Sequence, residues 1–132
     1  MVVCGWCAAL CWFDTRERRL PNLLTLPAAA LAALVALWFA VEGAPSALAG
    51  GALWTVLYAV LFLARGVGAG DVKLAPSLGA MAGGFAGMPA TLLAILAAQV
   101  LTLAWALAAR ERAVPHGPAM CLAALGAVLA FR

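Results

Sequence analysis

Charged residues are scarce in this sequence. Asp, Glu, Lys and Arg make up 10% of its 132 residues, whereas a soluble domain carries about 25%. Hydrophobic residues make up 67%, and the mean hydropathy is +1.09. A chain this short cannot form a soluble interior that would bury so much apolar surface. The composition therefore excludes a soluble enzyme and predicts an integral membrane protein with a single domain, residues 1–132, in contact with the lipid bilayer.

The sequence also lacks a basic run and a second CxxC motif. Its eight basic residues are scattered and the net charge is only +3, so we expect no nucleic-acid partner. Cys4 and Cys7 form a lone CxxC, a pattern that suggests zinc or redox chemistry in a soluble protein. Together with Cys11 they fall on one side of an apolar helix, where we interpret them as packing residues. We expect neither a metal ion nor a cofactor.

Long apolar stretches, bounded by charge, Pro or Gly, are what the sequence does contain. About 20 apolar residues span a bilayer. Six stretches are candidate spans: 2–13, 23–41, 47–64, 74–88, 90–109 and 115–131. The first is short, so either its helix continues through Asp14 or upstream residues are missing. Gly79, Gly83 and Gly87 form a small-residue stripe that favours close helix packing. We predict an all-α bundle of about six transmembrane helices.

The basic residues indicate an orientation for this bundle. With six spans, the first, third and fifth connections lie on one side of the membrane. These connections hold seven of the eight basic residues, namely Arg16, Arg18, Arg19, Arg65, Lys73, Arg110 and Arg112. Only Arg132 falls on the other side. Because basic residues concentrate on the cytoplasmic side, we predict that these connections are cytoplasmic and that both termini lie outside.

Two of the five acidic residues stand out. Glu17 and Glu111 lie beside arginines and Glu42 lies in an external turn, so we expect these three to be solvated. Asp14 and Asp71 instead lie at the cytoplasmic membrane edge, directly beside apolar spans. An ionisable group placed there is costly, which indicates a function.

Each of these aspartates has a structural alternative. Asp14 could pair with Arg16 or Arg18, and Asp71 could cap the N-terminus of a helix. The predicted topology, however, places both carboxyl groups at similar depth on one side. Two carboxyl groups brought together in a poorly solvated site do not both ionise easily, so one acts as a base and the other as an acid. Such a pair can activate water against a peptide carbonyl, and it titrates as a unit, so neither role is assigned.

The sequence around both aspartates resembles that of the type IV prepilin peptidases, a family of GxGD-type membrane aspartyl proteases. Residues 68–74 (GAGDVKL) are similar to its signature of GxGD, one residue, Lys, then Leu or Phe. Residues 14–25 (DTRERRLPNLLT) are similar to its first aspartate followed by a Pro-Asn element. Residues 114–118 (VPHGP) look like its third motif, except that His116 replaces an aromatic residue.

The resemblance implies a membrane aspartic endopeptidase in a bacterial plasma membrane. Its substrate would be a pilin or pseudopilin precursor, whose basic leader is cut off at the cytoplasmic face. Larger members add a region with paired CxxC motifs and an N-methyltransferase activity, for which no connection here has room, so we expect cleavage without methylation. A small proton-coupled transporter and a non-enzymatic membrane subunit stay open as alternatives. The precursor and the oligomeric state are not encoded in any readable way.

By the resemblance, Asp14 and Asp71 are the catalytic residues. The motif also includes five supporting residues, which are Gly68, Gly70, Lys73, Pro21 and Asn22. We expect the two glycines to give the backbone unusual angles and leave room for substrate. We expect Lys73 to meet lipid phosphate or the precursor, and Asn22 to cap the second helix. We interpret His116 as a solvated or backbone-bonded residue rather than a base.

Overall fold

The computed structural model describes residues 2–111 and 114–131, so that Arg112 and Arg132 of the predicted charge distribution lie outside the described residues. Within them the chain forms five helices and no strand: α1 (Val2–Glu17), α2 (Asn22–Val41), α3 (Ser46–Leu63), α4 (Ala69–Ala109) and α5 (Gly117–Ala130). Three of these helices, α2, α3 and α4, are long and apolar enough to cross a membrane. The predicted all-α membrane class is therefore confirmed.

The number of helices differs from the six predicted. The predicted spans 74–88 and 90–109 both belong to α4, a helix of 41 residues. Gly87 interrupts it with φ 79° and ψ −178°, a conformation open to glycine because it has no Cβ. The two helical arms of α4 therefore meet at Gly87, close to the predicted break between the spans 74–88 and 90–109, and they are counted together as one kinked helix.

The two arms of α4, one on each side of Gly87, fold back against each other. A Cβ built on Gly50 of α3 would lie 2.5 Å from the carbonyl oxygen of Gly79 and 2.9 Å from Oγ1 of Thr91. In a straight helix residues 79 and 91 would be about 18 Å apart. Because both flank the same point on α3, α4 is a helical hairpin rather than a rod.

Small residues allow α3 and the first arm of α4 to approach closely. A Cβ on Gly79 would lie 2.9 Å from the Cα of Gly51, and one on Gly83 would lie 3.3 Å from the Cα of Gly50. The predicted packing stripe is thus present at Gly79 and Gly83. The third glycine of that pattern, Gly87, does not pack in the stripe but forms the kink.

The surface of the bundle is apolar. Leu31, Leu34, Leu96 and Val100 are all more than half exposed, and contiguous apolar surface on this scale is not left in contact with water. Large buried side chains, including Trp54, fill the centre between α3, α4 and α5. The fold is therefore a core of small and aromatic residues surrounded by a surface that suits lipid.

Three connections meet at one end of the bundle. Arg18, after α1, forms an ion pair with Glu111, after α4, with 3.2 Å between Nη2 and Oε2. Lys73, near the start of α4, donates a hydrogen bond to Asn22, at the start of α2. The α1–α2, α3–α4 and α4–α5 connections are therefore neighbours. Glu111, which was expected to be solvated, forms an ion pair with Arg18 that joins the α4–α5 and α1–α2 connections.

Candidate active site where three connections meet

Asp14 lies in the last turn of α1, which continues through it to Glu17. This is one of the two possibilities that the short first stretch left open. The Asp14 side chain is only 7% exposed, and its Oδ2 accepts a hydrogen bond from the backbone N–H of Gly117, 2.8 Å away. A backbone group that is distant in the sequence thus supplies a hydrogen bond to this carboxyl group.

The structural alternative for Asp14 was an ion pair with a neighbouring arginine, and it is wrong. Arg16 lies over the ring of Trp12, with its guanidinium carbon 4.3 Å from the ring centroid. Arg18 pairs with Glu111 instead. Neither arginine neutralises Asp14, so ordinary surface pairing does not explain this buried carboxyl group.

Asp71 is the third residue of α4 and is 8% exposed. Its Oδ2 accepts a hydrogen bond from the backbone N–H of Gly68, 3.0 Å away. The N-cap position of α4 belongs to Gly68, so Asp71 is not the N-cap itself, although the helix-capping contact that the structural alternative predicted is present. Asp71 reaches back to the cap in the way that an acidic residue of a capping box does.

Gly68 and Gly70 act through close approach and not through unusual backbone angles. Gly68 has φ −79° and ψ 158°, which any residue adopts, and Gly70 is not among the residues with positive φ. A Cβ on Gly70 would lie 3.2 Å from the side chain of Leu20 in the α1–α2 connection. The expected strain is therefore absent, and Gly70 matters because Leu20 lies directly against it.

A cavity of about 530 Å³ brings these groups together. All seven residues predicted for the site line it: Asp14, Asp71, Gly68, Gly70, Lys73, Pro21 and Asn22. A second cavity of about 610 Å³ is larger, but its lining of mainly apolar side chains from α1 to α4 contains no Asp, Glu or His. Of the two cavities, the smaller one therefore has the side chains that acid–base chemistry requires.

Lys73 and Asn22 join α4 to α2 at the rim of the cavity. The Nζ of Lys73 donates a hydrogen bond to Oδ1 of Asn22 over 2.7 Å. The N-cap of α2 is Pro21, and no side chain caps this helix, so the predicted capping role of Asn22 is wrong. Lys73 was predicted to meet lipid phosphate or the precursor, and in the structure it binds the Asn22 side chain.

The chain that forms this cavity is similar in sequence to known proteins. Residues 1–107 match the type IV leader peptidase family. The chain belongs to this family. It is 35% identical over 133 residues to a prepilin leader peptidase/N-methyltransferase of Xanthomonas campestris pv. campestris, in an alignment covering 93% of this chain and 46% of that protein. The chain thus spans about half the length of this relative. No solved structure matches this chain.

This leader peptidase family member also has a polar side chain whose contacts differ from the prediction. The side chain of His116, before α5, is half-buried and is bonded to two other side chains rather than to the backbone. Its Nε2 lies 2.7 Å from the hydroxyl of Tyr58, and its Nδ1 is bonded to the hydroxyl of Thr102. Burial lowers the pKa of His116 to about 4, so the ring is neutral near pH 7. The hydrogen bonds come from α3 and α4, which local sequence could not reveal.

Gly117 contacts the candidate site, and sequence reasoning did not single it out. A Cβ at this position would lie 2.6 Å from Oδ2 of Asp14, too close for any other residue type without movement. The similarity of residues 114–118 to a family motif was the available signal, although it did not indicate which atom mattered. Across residues 2–111 and 114–131, no group of three His, Cys, Asp or Glu side chains could hold a metal ion. The cavity offers two carboxyl groups, each held by a backbone N–H.

Proposed function

We propose that this chain is a membrane aspartic endopeptidase that removes the leader peptide of a prepilin-like precursor, with Asp14 and Asp71 as its catalytic pair. One observation carries the proposal: two buried carboxyl groups, from helices distant in sequence, line the same cavity. Membership of the leader peptidase family supports the reaction. The name of the Xanthomonas relative supports a prepilin as the substrate.

The two carboxyl groups suffice for peptide hydrolysis. The ionised one takes a proton from water as the water oxygen bonds to the scissile carbonyl carbon. The protonated one donates a hydrogen bond to the carbonyl oxygen and stabilises the charge that develops there. When the carbon–nitrogen bond breaks, the leaving nitrogen takes up a proton from the pair. Because the groups titrate together, the acid and base roles belong to the pair.

The proposal includes a topology. A straight helix of 41 residues would be about 60 Å long, twice the ~30 Å hydrocarbon core of a bilayer. We therefore assign each arm of α4 to a separate crossing, which gives six crossings with both termini outside. The end that holds Arg18, Arg65 and Arg110 then faces the cytoplasm of a bacterial cell. Residues 1–132 act as one multi-pass domain of the plasma membrane.

This placement suits a precursor with a basic leader and an apolar helix. The leader stays in the cytoplasm while the apolar segment rests in the bilayer, so the scissile bond lies at the membrane edge beside the cavity. The connections 18–21, 42–45 and 64–68 are short. They leave no space between these helices for a methyltransferase region, so the proposed reaction is cleavage without N-methylation by these residues.

The arrangement disfavours a proton-coupled transporter. Among the described residues, Asp14 and Asp71 are the buried acidic side chains, and both lie at the same end of the bundle. A relay across the membrane needs ionisable groups along its depth. The same two residues at one edge suit a hydrolytic site.

The experiment is conservative substitution. Asp14→Asn and Asp71→Asn keep side-chain size and remove the ionisable group, so each should abolish cleavage of a co-expressed precursor, read as the absence of the shorter product on a gel. Glu42→Gln is the matched control, because Glu42 is exposed in the α2–α3 connection at the other end. Wild-type cleavage by both aspartate variants would refute the catalytic pair.

A further inference from the structure

A polar network inside the bundle is not explained by peptide hydrolysis itself. It joins Tyr58 of α3, Gln99 and Thr102 of the second arm of α4, and His116 before α5. Tyr58 is fully buried, and polar groups in such surroundings are costly unless they are paired. Side chains from two different helices, α3 and α4, thus hold the imidazole ring of His116.

One arrangement of donors and acceptors gives every hydroxyl proton an acceptor. The Thr102 hydroxyl lies 2.8 Å from the carbonyl oxygen of Ala98, which can only accept, and in this arrangement Thr102 donates to it. Thr102 accordingly accepts the proton of His116 Nδ1. In a neutral ring Nε2 then accepts, so the Tyr58 hydroxyl donates to it, while Gln99 donates to Tyr58 over 2.9 Å. In this arrangement every polar hydrogen that holds the ring points at an acceptor.

The ring is one residue away from the candidate catalytic site. His116 precedes Gly117, whose N–H donates to Oδ2 of Asp14 over 2.8 Å. We infer that Tyr58, Thr102 and His116 are positioning residues that hold the Gly117 N–H against Asp14 and so set the orientation of its carboxylate. The inference rests on the proposed function of Asp14. Reactive groups displaced by about 1 Å can cost 100-fold in rate, so a rigid support has a catalytic consequence.

Thr102 allows the sharpest test. Thr102→Val keeps the shape and removes the hydroxyl, whereas Thr102→Ser keeps the hydroxyl. The probe is a synthetic precursor with a basic leader ending in glycine and an apolar helix of about 20 residues. We expect Thr102→Val to lower kcat about tenfold with KM within about twofold, because orientation acts in the transition state. Thr102→Ser should restore kcat to within about twofold of wild type.

Two further variants secure the comparison. Tyr58→Phe removes the other hydroxyl that holds the ring and should also lower kcat about tenfold; it supplies the same test if Thr102→Val fails to fold. Thr55→Val is the matched control, since the Thr55 hydroxyl bonds only to the carbonyl oxygen of Gly51 on its own helix. It should cleave like wild type.

A measurement without activity separates positioning from simple destabilisation. In protein labelled with ¹⁵N-glycine in detergent micelles, the Gly117 amide should move upfield in Thr102→Val and stay in place in Thr102→Ser and Thr55→Val. An unchanged Gly117 resonance in Thr102→Val overturns the inference, whether or not kcat falls. A kcat of Thr102→Val equal to that of the wild type also overturns it. If the wild type cleaves nothing, the proposed function fails, and the Gly117 resonance still decides whether the network positions this amide.

Discussion

Replacing Gly117 with alanine probes the site with one methyl group. The added Cβ would lie 2.6 Å from Oδ2 of Asp14, well inside the ~3.3 Å at which carbon and oxygen approach in proteins. Asp14 must therefore move, and the 2.8 Å hydrogen bond from Gly117 is lost or lengthened. A hydrogen bond to a charged group contributes about 1.5–3 kcal/mol. If that contribution is made in the transition state, kcat/KM falls about 10- to 100-fold.

A thermal melt separates this effect from unfolding. Gly117 is the first residue of α5 and does not have positive φ, but Pro118 follows it, so alanine gains no helix propensity at this position. Activity should therefore fall about 10- to 100-fold in protein that still shows a helical spectrum and a cooperative melt. Gly126→Ala is the matched control in the same helix, because a Cβ there meets nothing within 4 Å.

The assay is cleavage of a purified precursor by protein in detergent, with circular dichroism on the same samples. Gly126→Ala should match wild type in kcat/KM. The reasoning is refuted if Gly117→Ala cleaves within about twofold of wild type, because the loss of the Asp14 contact would then have no catalytic consequence.

Two further predictions concern stability. Gly50→Ala would put a Cβ 2.5 Å from the backbone oxygen of Gly79, and such overpacking costs about 1–3 kcal/mol. The thermal midpoint of Gly50→Ala should therefore fall, whereas that of the control Gly5→Ala should not, because a Cβ on Gly5 meets nothing within 4 Å. Equal midpoints would contradict the close contact of α3 with α4. His116 has a pKa of about 4 in the fold against 6.5 as its ordinary value. Only the unfolded chain takes up this proton between those pH values, so the contribution of His116 to stability is fully present above pH 6.5 and is lost as the pH drops toward 4. His116→Phe should remove this contribution and so change the slope of the midpoint against pH between 6.5 and 4, and an unchanged slope would exclude His116 as a source of it.

The class and the residues that line the smaller cavity could be predicted because their signals are local. A composition this apolar admits only a membrane fold, and two short motifs contain Asp14 and Asp71. The helix count could not be predicted as securely. Gly87 and Pro89 mark the reversal in α4, but the angle between its two arms depends on their packing against α3, which the sequence does not show.

The hydrogen bonds of the site could not be predicted at all. Gly117 and His116 find their partners in α1, α3 and α4, far away along the chain. Similarly, Asn22 has the residue type of a helix cap yet binds Lys73, because the cap position falls one residue earlier. In each case residue type indicated a polar contact, and tertiary structure chose the partner.

The placement of the two aspartates has a common electrostatic basis. Asp14 lies in the last turn of α1, where the negative end of the helix dipole opposes a carboxylate. The start of α5 compensates, because its free N–H groups form the positive end of another dipole and Gly117 directs one of them at Asp14. Asp71 lies in the first turn of α4, a similarly positive end. Both carboxyl groups thus lie at helix N-termini while being shielded from water, so among residues 2–111 and 114–131 the charge compensation at Asp14 comes from the start of α5 rather than from a basic side chain.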